Sequence, residues 1–133
     1  MRVGLLEDDQ AIQEMLVLFL QDEDYSVTAY PSAETCLAAL DIAGQDSHEL
    51  PVDLMIIDWR LTGLISGIEV IRRLRDNPLL ASLPIILTTA APYDNIQQLR
   101  QLRITLLAKP FAVDEMSALI KQMTATIIPN ETI

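Results

Sequence analysis

Leu54-Met55-Ile56-Ile57-Asp58 decides the fold: four apolar residues in succession end on a carboxylate. An apolar run this short and continuous reads as a strand buried on both faces, the kind found in parallel sheets covered by helices. The pattern recurs twice. Val3-Gly4-Leu5-Leu6 stops at Glu7 and Asp8, and the run from Ile104 to Ala108 stops at Lys109. Three acids and a lysine at the carboxyl ends of buried strands form a site able to hold a hard divalent cation with an anion beside it. Such a site suits phosphoryl chemistry on a carboxylate.

Outward from these runs the chain alternates strand and helix. Arg2 to Leu6 is the first strand; Ile12, Leu16, Phe19 and Leu20 then recur at helical spacing, with Asp9 as the N-cap. Ser26 to Tyr30 is the second strand, and Ser32 caps a helix whose apolar face includes Cys36, Leu37 and Leu40. Gly44 to Pro51 is polar and punctuated, so it reads as a surface loop before the third strand, Asp53 to Ile57. Gly67 opens a helix with Val70, Ile71 and Leu74 inward and Arg72, Arg73 and Arg75 largely outward, stopped by Asn77-Pro78. Pro84 to Thr89 is the fourth strand, and Ile96, Leu99 and Leu102 mark a weaker fourth helix. Ile104 to Ala108 is the fifth strand, and Val113, Met116, Leu119, Ile120 and Met123 stripe a fifth helix. This predicts a doubly wound α/β fold, five parallel strands and five helices, with ligands at the carboxyl edge where Glu7, Asp8, Asp58, Thr88, Thr89 and Lys109 all map.

Composition narrows the function. The 133 residues allow one domain with one core, expected over 1–125 and followed by a fraying tail at 126–133. Nineteen acids against nine bases, a net charge of −10, oppose nucleic-acid binding by this domain. A single cysteine, no signal-peptide pattern and no long apolar stretch predict a soluble, cytoplasmic protein away from the membrane. His48 reads as a solvated loop residue, Cys36 as core, the arginine cluster as a solvated helix face, and the Trp59 ring, directly after Asp58, as placed near the cleft mouth.

The set LLEDD, LMIIDW, PIILTTA and LLAKPF, in this order on the strand ends, resembles the receiver domain of two-component response regulators, a flavodoxin-like fold, over about residues 2–125. The resemblance implies that Asp58 accepts a phosphoryl group from a phosphohistidine of a histidine kinase or phosphotransfer protein. Glu7, Asp8, Asp58 and the backbone carbonyl of Arg60 would hold Mg²⁺, and Thr89 and Lys109 would contact the phosphoryl oxygens. It also implies a cis Lys109-Pro110 bond and an output face of fourth helix, fifth strand and fifth helix, with Thr89 and Leu106 as the switch. Residue chemistry agrees: Mg²⁺ takes oxygen ligands, and phosphoryl transfer asks chiefly for positioning and charge neutralisation.

Three departures from the family pattern stand out. Leu106 replaces the usual aromatic ring, Leu102-Arg103-Ile104 replaces a Gly-Ala-Asp run, and the loop after Asp58 lacks a proline and is one residue longer. A receiver-shaped binding module that signals without phosphorylation is the competing reading. A phosphatase of the haloacid-dehalogenase type needs a second acid two residues after the nucleophile, where this chain has Arg60.

Overall fold

The two central strands that carry the acidic ends form on uninterrupted apolar runs, and the first three helices start where a short polar side chain satisfies one of the first free N–H groups. The computed structural model describes residues 1–47, 52–61, 65–90 and 100–124, the side chains of 41–47 excepted. In chain order these are β1 (Arg2–Leu6), α1 (Gln10–Asp22), β2 (Ser26–Tyr30), α2 (Ala33–Ser47), β3 (Leu54–Asp58) and α3 (Gly67–Asp76). A 3₁₀ turn (Pro78–Leu80), β4 (Ile85–Thr89), β5 (Thr105–Ala108) and α4 (Val113–Thr124) follow. Asp9 accepts from the Ile12 N–H at 3.1 Å, Ser32 from Thr35 at 3.1 Å and Ser66 from Glu69 at 3.2 Å, each opening a helix.

The five strands form one parallel sheet in the order β2-β1-β3-β4-β5. Its two faces carry separate cores. Val3, Leu5, Leu54, Ile56 and Ile86 pack against Leu16 and Leu20 of α1 and Met116 and Ile120 of α4. Leu6, Met55, Ile57, Ile85 and Leu87 pack against Cys36, Leu37 and Leu40 of α2 and Val70, Ile71 and Leu74 of α3. Burial pushes the Cys36 thiol up to about 12, as befits a core residue. The chain leaves β1 for one edge and returns to β3 on the other side, so the strand order reverses between β1 and β3. A crevice therefore opens above that pair, at its carboxyl ends.

Two expectations change. Helix α2 runs on to Ser47 through Gly44, where a loop was expected; a helical glycine costs only about 1 kcal/mol and does not stop a helix already anchored by Cys36, Leu37 and Leu40. Arg75 does not face outward with Arg72 and Arg73. Its guanidinium turns under the end of α3 and donates to the carbonyls of Leu80 (3.0 Å), Ala81 (3.2 Å), Leu83 (2.7 Å), Leu102 (2.8 Å) and Arg103 (3.1 Å). Burial, with the Arg103 charge nearby, lowers it to about 10, leaving it charged at neutral pH. Residues 100–102 are helical. The rest of the expected fourth helix, His48, and the tail at 126–133 lie outside the described residues. Among the described residues no helix is long and apolar enough to cross a membrane.

Candidate functional site

The switch point determines which side chains meet. Leu6 of β1 pairs with Ile57 of β3, so the residues that follow each strand, Glu7 and Asp8 on one and Asp58 on the other, arrive side by side. Oxygens from these three carboxylates lie within 4.8 Å of one another, with Glu7 and Asp58 buried and Asp8 half-buried. The cleft between them, about 230 Å³, is lined by Glu7, Asp8, Asp9, Ile12, Asp58, Arg60, Ala90 and Lys109. Asp9 serves as the cap of α1 and also donates its backbone N–H to Glu7 Oε2 at 3.2 Å.

Lys109 reaches the cleft from the end of β5. Its ammonium lies 3.1 Å from Glu7 Oε1 and 3.2 Å from Asp58 Oδ1. The Lys109-Pro110 bond is cis, and the Lys109 N–H donates to the Thr89 carbonyl at 2.7 Å. Burial alone would lower the ammonium pKa, but the hydrogen bonds and charges of Glu7 and Asp58 outweigh it and leave the pKa raised. For Glu7, burial first and then its hydrogen bond and charge contact with Asp58 push the carboxyl up to about 6, against the pull of the Asp9 N–H and Lys109. Crowded carboxylates with one ammonium are short of positive charge. The donor set is all hard oxygen, which fits a small divalent ion such as Mg²⁺.

The remaining expected residues fall around this cluster. The Arg60 N–H lies 3.4 Å from Asp58 Oδ1, so the chain doubles back over Asp58 immediately after β3. Thr88 and Thr89 are both buried at the end of β4; Thr88 sits opposite Asp58, and Thr89 opposite Ala108, one step nearer the carboxyl edge and next to Ala90. Strand alternation continues the α2/α3 face from Leu87 to Thr89. Leu106, half-buried, pairs with Leu87 and packs on that same face. Trp59 differs from expectation: its ring packs against the apolar cluster of the α2/α3 face instead of lining the cleft mouth.

Two features were missed in the sequence. An apolar hollow of about 440 Å³ adjoins the cleft, lined by Ile12, Met15, Ala90, Lys109, Pro110 and Phe111. Met15 is exposed, and so is Leu18 one turn further along α1. The apolar excess on α1 was legible as a stripe too wide for one core face. The second is Gly67, which was read only as a helix start although it lies against the backbone of Asp58 and Trp59.

Comparison with known proteins agrees with this geometry. The Response regulator receiver domain family matches residues 3–121. The chain is 34% identical over 132 residues to the phosphate regulon transcriptional regulatory protein PhoB of Rhizobium meliloti, covering 97% of this chain and 54% of that protein. It thus spans about half the length of the regulators it matches. Among solved structures it is similar to the Vibrio cholerae chemotaxis protein CheY4, with a TM-score of 0.77 at 22% identity, covering 91% of this chain and 96% of that one. It is also similar to the receiver domain of the sensor histidine kinase PA1611 from Pseudomonas aeruginosa, solved with magnesium in its active-site cleft, with a TM-score of 0.75 at 22% identity and covering 91% of this chain and 94% of that one. With five parallel strands in receiver order and an acid–lysine cleft at their switch point, the chain belongs to the response regulator receiver domain family.

Proposed function

We propose that this domain is the phosphoacceptor of a two-component system, with Asp58 receiving the phosphoryl group of a phosphohistidine on a histidine kinase or phosphotransfer protein. The observation that carries the reading is the contact of Asp58 with both a carboxylate cluster and the Lys109 ammonium. An Asp58 carboxylate oxygen attacks phosphorus, the phosphorus–nitrogen bond breaks, and the imidazole nitrogen of the donor keeps the electron pair and takes up a proton. Lys109 holds its charge beside the oxygens on which negative charge gathers, and the Thr89 hydroxyl, at the end of β4, approaches them from the neighbouring strand. Glu7, Asp8, Asp58 and the Arg60 carbonyl would hold Mg²⁺, which when bound neutralises charge on the transferred group. The magnesium in the Pseudomonas receiver supports this assignment. The apolar hollow beside the cleft gives a donor helix a surface on which to seat.

The output is a change in the face formed by residues 100–102, β5 and α4. Phosphorylation adds roughly −1.5 to −2 charges to Asp58 and draws Thr89 and Lys109 towards it. Leu106 shifts against Leu87 as an apolar plug, since it has no ring to rotate. The domain is a signalling element, not a turnover enzyme: Arg60 stands where a phosphatase would need its second acid. Its compartment in this reading is the cytoplasm, its direct partners are proteins, and the domain itself does not grip nucleic acid. The test is intact mass after treatment with acetyl phosphate and Mg²⁺. A phosphate-sized gain in wild type that is absent from Asp58→Asn is expected; equal masses in both proteins would leave the phosphorylation-independent module as the better description.

A further inference from the structure

We infer that Gly67 is a positioning residue for the acceptor, because it allows the first turn of α3 to rest directly on the Asp58–Trp59 peptide. The Gly67 N–H donates to the Trp59 carbonyl at 3.0 Å. A Cβ added at Gly67 would run into the Asp58 carbonyl oxygen and come within 2.9 Å of Trp59 Cα and 3.0 Å of the Asp58 carbonyl carbon. All three are main-chain atoms of the acceptor loop, which cannot swing aside as the tip of a flexible side chain can. Gly67 is the opening residue of a helix, and among the described residues no glycine has a left-handed backbone, so conformation does not demand glycine here. Alanine in a helix is favoured over glycine by up to about 1 kcal/mol. Close approach is the reason that remains.

The contact bears on function because the same loop returns to Asp58. The Arg60 N–H faces Asp58 Oδ1 at 3.4 Å, and the Arg60 carbonyl is the main-chain ligand proposed for Mg²⁺. Helix α3 is held from below by Val70, Ile71 and Leu74 in the core and from its start by the Ser66 cap. Through Gly67 it is a fixed stop against which the Trp59–Arg60 peptides are oriented. The inference rests on the phosphoacceptor reading above.

The experiment compares wild type, Gly67→Ala and Ser66→Ala by Mg²⁺ titration calorimetry and by the rate of acetyl-phosphate labelling of Asp58. Ser66→Ala weakens the same helix end without entering the acceptor loop, so it separates loss of stability from loss of position. Gly67→Ala is expected to weaken Mg²⁺ binding and slow labelling by about tenfold or more, the scale on which sub-ångström misplacement acts, with Ser66→Ala within about twofold of wild type. Gly67→Ala within twofold of wild type on both readouts overturns the inference, as does an equal loss in Ser66→Ala. If Gly67→Ala does not fold, the wild-type protein decides: its Gly67 amide resonance must move during Mg²⁺ titration with the same midpoint as the calorimetry, and an unmoved resonance overturns the inference. Wild type that neither binds Mg²⁺ nor labels at Asp58 overturns the parent reading instead, and this one with it.

Discussion

Replacing Lys109 by methionine keeps an unbranched stem at a position that lines the apolar hollow together with Ile12 and Phe111, and removes the ammonium. At 3.1 Å and 3.2 Å from two carboxylates, an effective permittivity of about 20 gives roughly 5 kcal/mol of attraction for each pair before desolvation is counted. Desolvation of the three groups offsets much of this, and removing one member of a buried ion pair typically costs about 3–5 kcal/mol. With Lys109 partly open to water, the low end applies: about 3 kcal/mol lost at pH 8 without metal. At pH 5 the Glu7 carboxyl, lifted to about 6, is mostly neutral in the wild type, so one of the two pairs is already gone. The loss there falls to about 1–2 kcal/mol. Saturating Mg²⁺ at about a hundred times its dissociation constant adds about 2.7 kcal/mol to either protein and brings the variant back near the metal-free wild type. Urea unfolding of both proteins at pH 5 and pH 8, with and without Mg²⁺, measures all four quantities. A loss that is the same at both pH values would mean that packing of the stem, not charge, ties Lys109 to the fold, and the electrostatic account of the cleft would be wrong.

Other perturbations probe the same arrangement. The folded pKa of Glu7 lies above its ordinary 4.5, so its contribution is fully present below pH 4.5 and is lost as pH rises through about 6; metal-free wild type should therefore be more stable at pH 4.5 than at pH 7 by up to about 2 kcal/mol from this group, measured by urea midpoints, and a flat profile across that window would contradict it. Below that window Asp53 acts in the opposite sense, because the Arg2 hydrogen bond lowers its pKa and protonation breaks the pair. Mg²⁺ should change Trp59 emission saturably through the loop that Trp59 shares with Asp58 and Arg60, and Asp8→Ala should abolish the change; an unaltered response in that variant would place the metal elsewhere. Leu106→Ala should leave Asp58 labelling within about twofold of wild type while removing most of the beryllofluoride-induced change in amide exchange over residues 100–112. If wild type binds the mimic and shows no exchange change there, the switch through Leu106 is excluded.

The ends of β1 and β3 were legible because a strand buried on both faces has no polar alternation, so the first charged residue after Leu6 or Ile57 marks the carboxyl edge of the sheet, while β5, a half-buried edge strand, was marked only by the Lys109 that ends its run. Capping side chains placed the starts of α1 and α2 for the same local reason, whereas the Ser66 cap of α3 emerged only in the structure. What escaped the reading depends on contacts between distant segments. Nothing near Arg75 in sequence distinguishes it from Arg72 and Arg73, and its carbonyl partners at Leu102 and Arg103 become neighbours only when β5 joins β4. Trp59 follows a charged strand end and was expected at the cleft, yet a large apolar ring gains more by covering the adjoining core than by facing carboxylates. Gly67 looked like punctuation until the return of α3 over the Asp58–Trp59 peptide showed what lies against it.

The Arg75 guanidinium has a consequence for how this sequence can drift. It binds main-chain oxygens, which every residue type supplies, so the identity of the side chains at Ala81, Leu102 and Arg103 is of no concern to it. One position is thereby constrained and several are released. The stretch at 102–104, where this chain departs from the usual receiver pattern, lies on this hub, and the departure leaves its anchoring intact. A lineage could rewrite that stretch without first rebuilding the support beneath it.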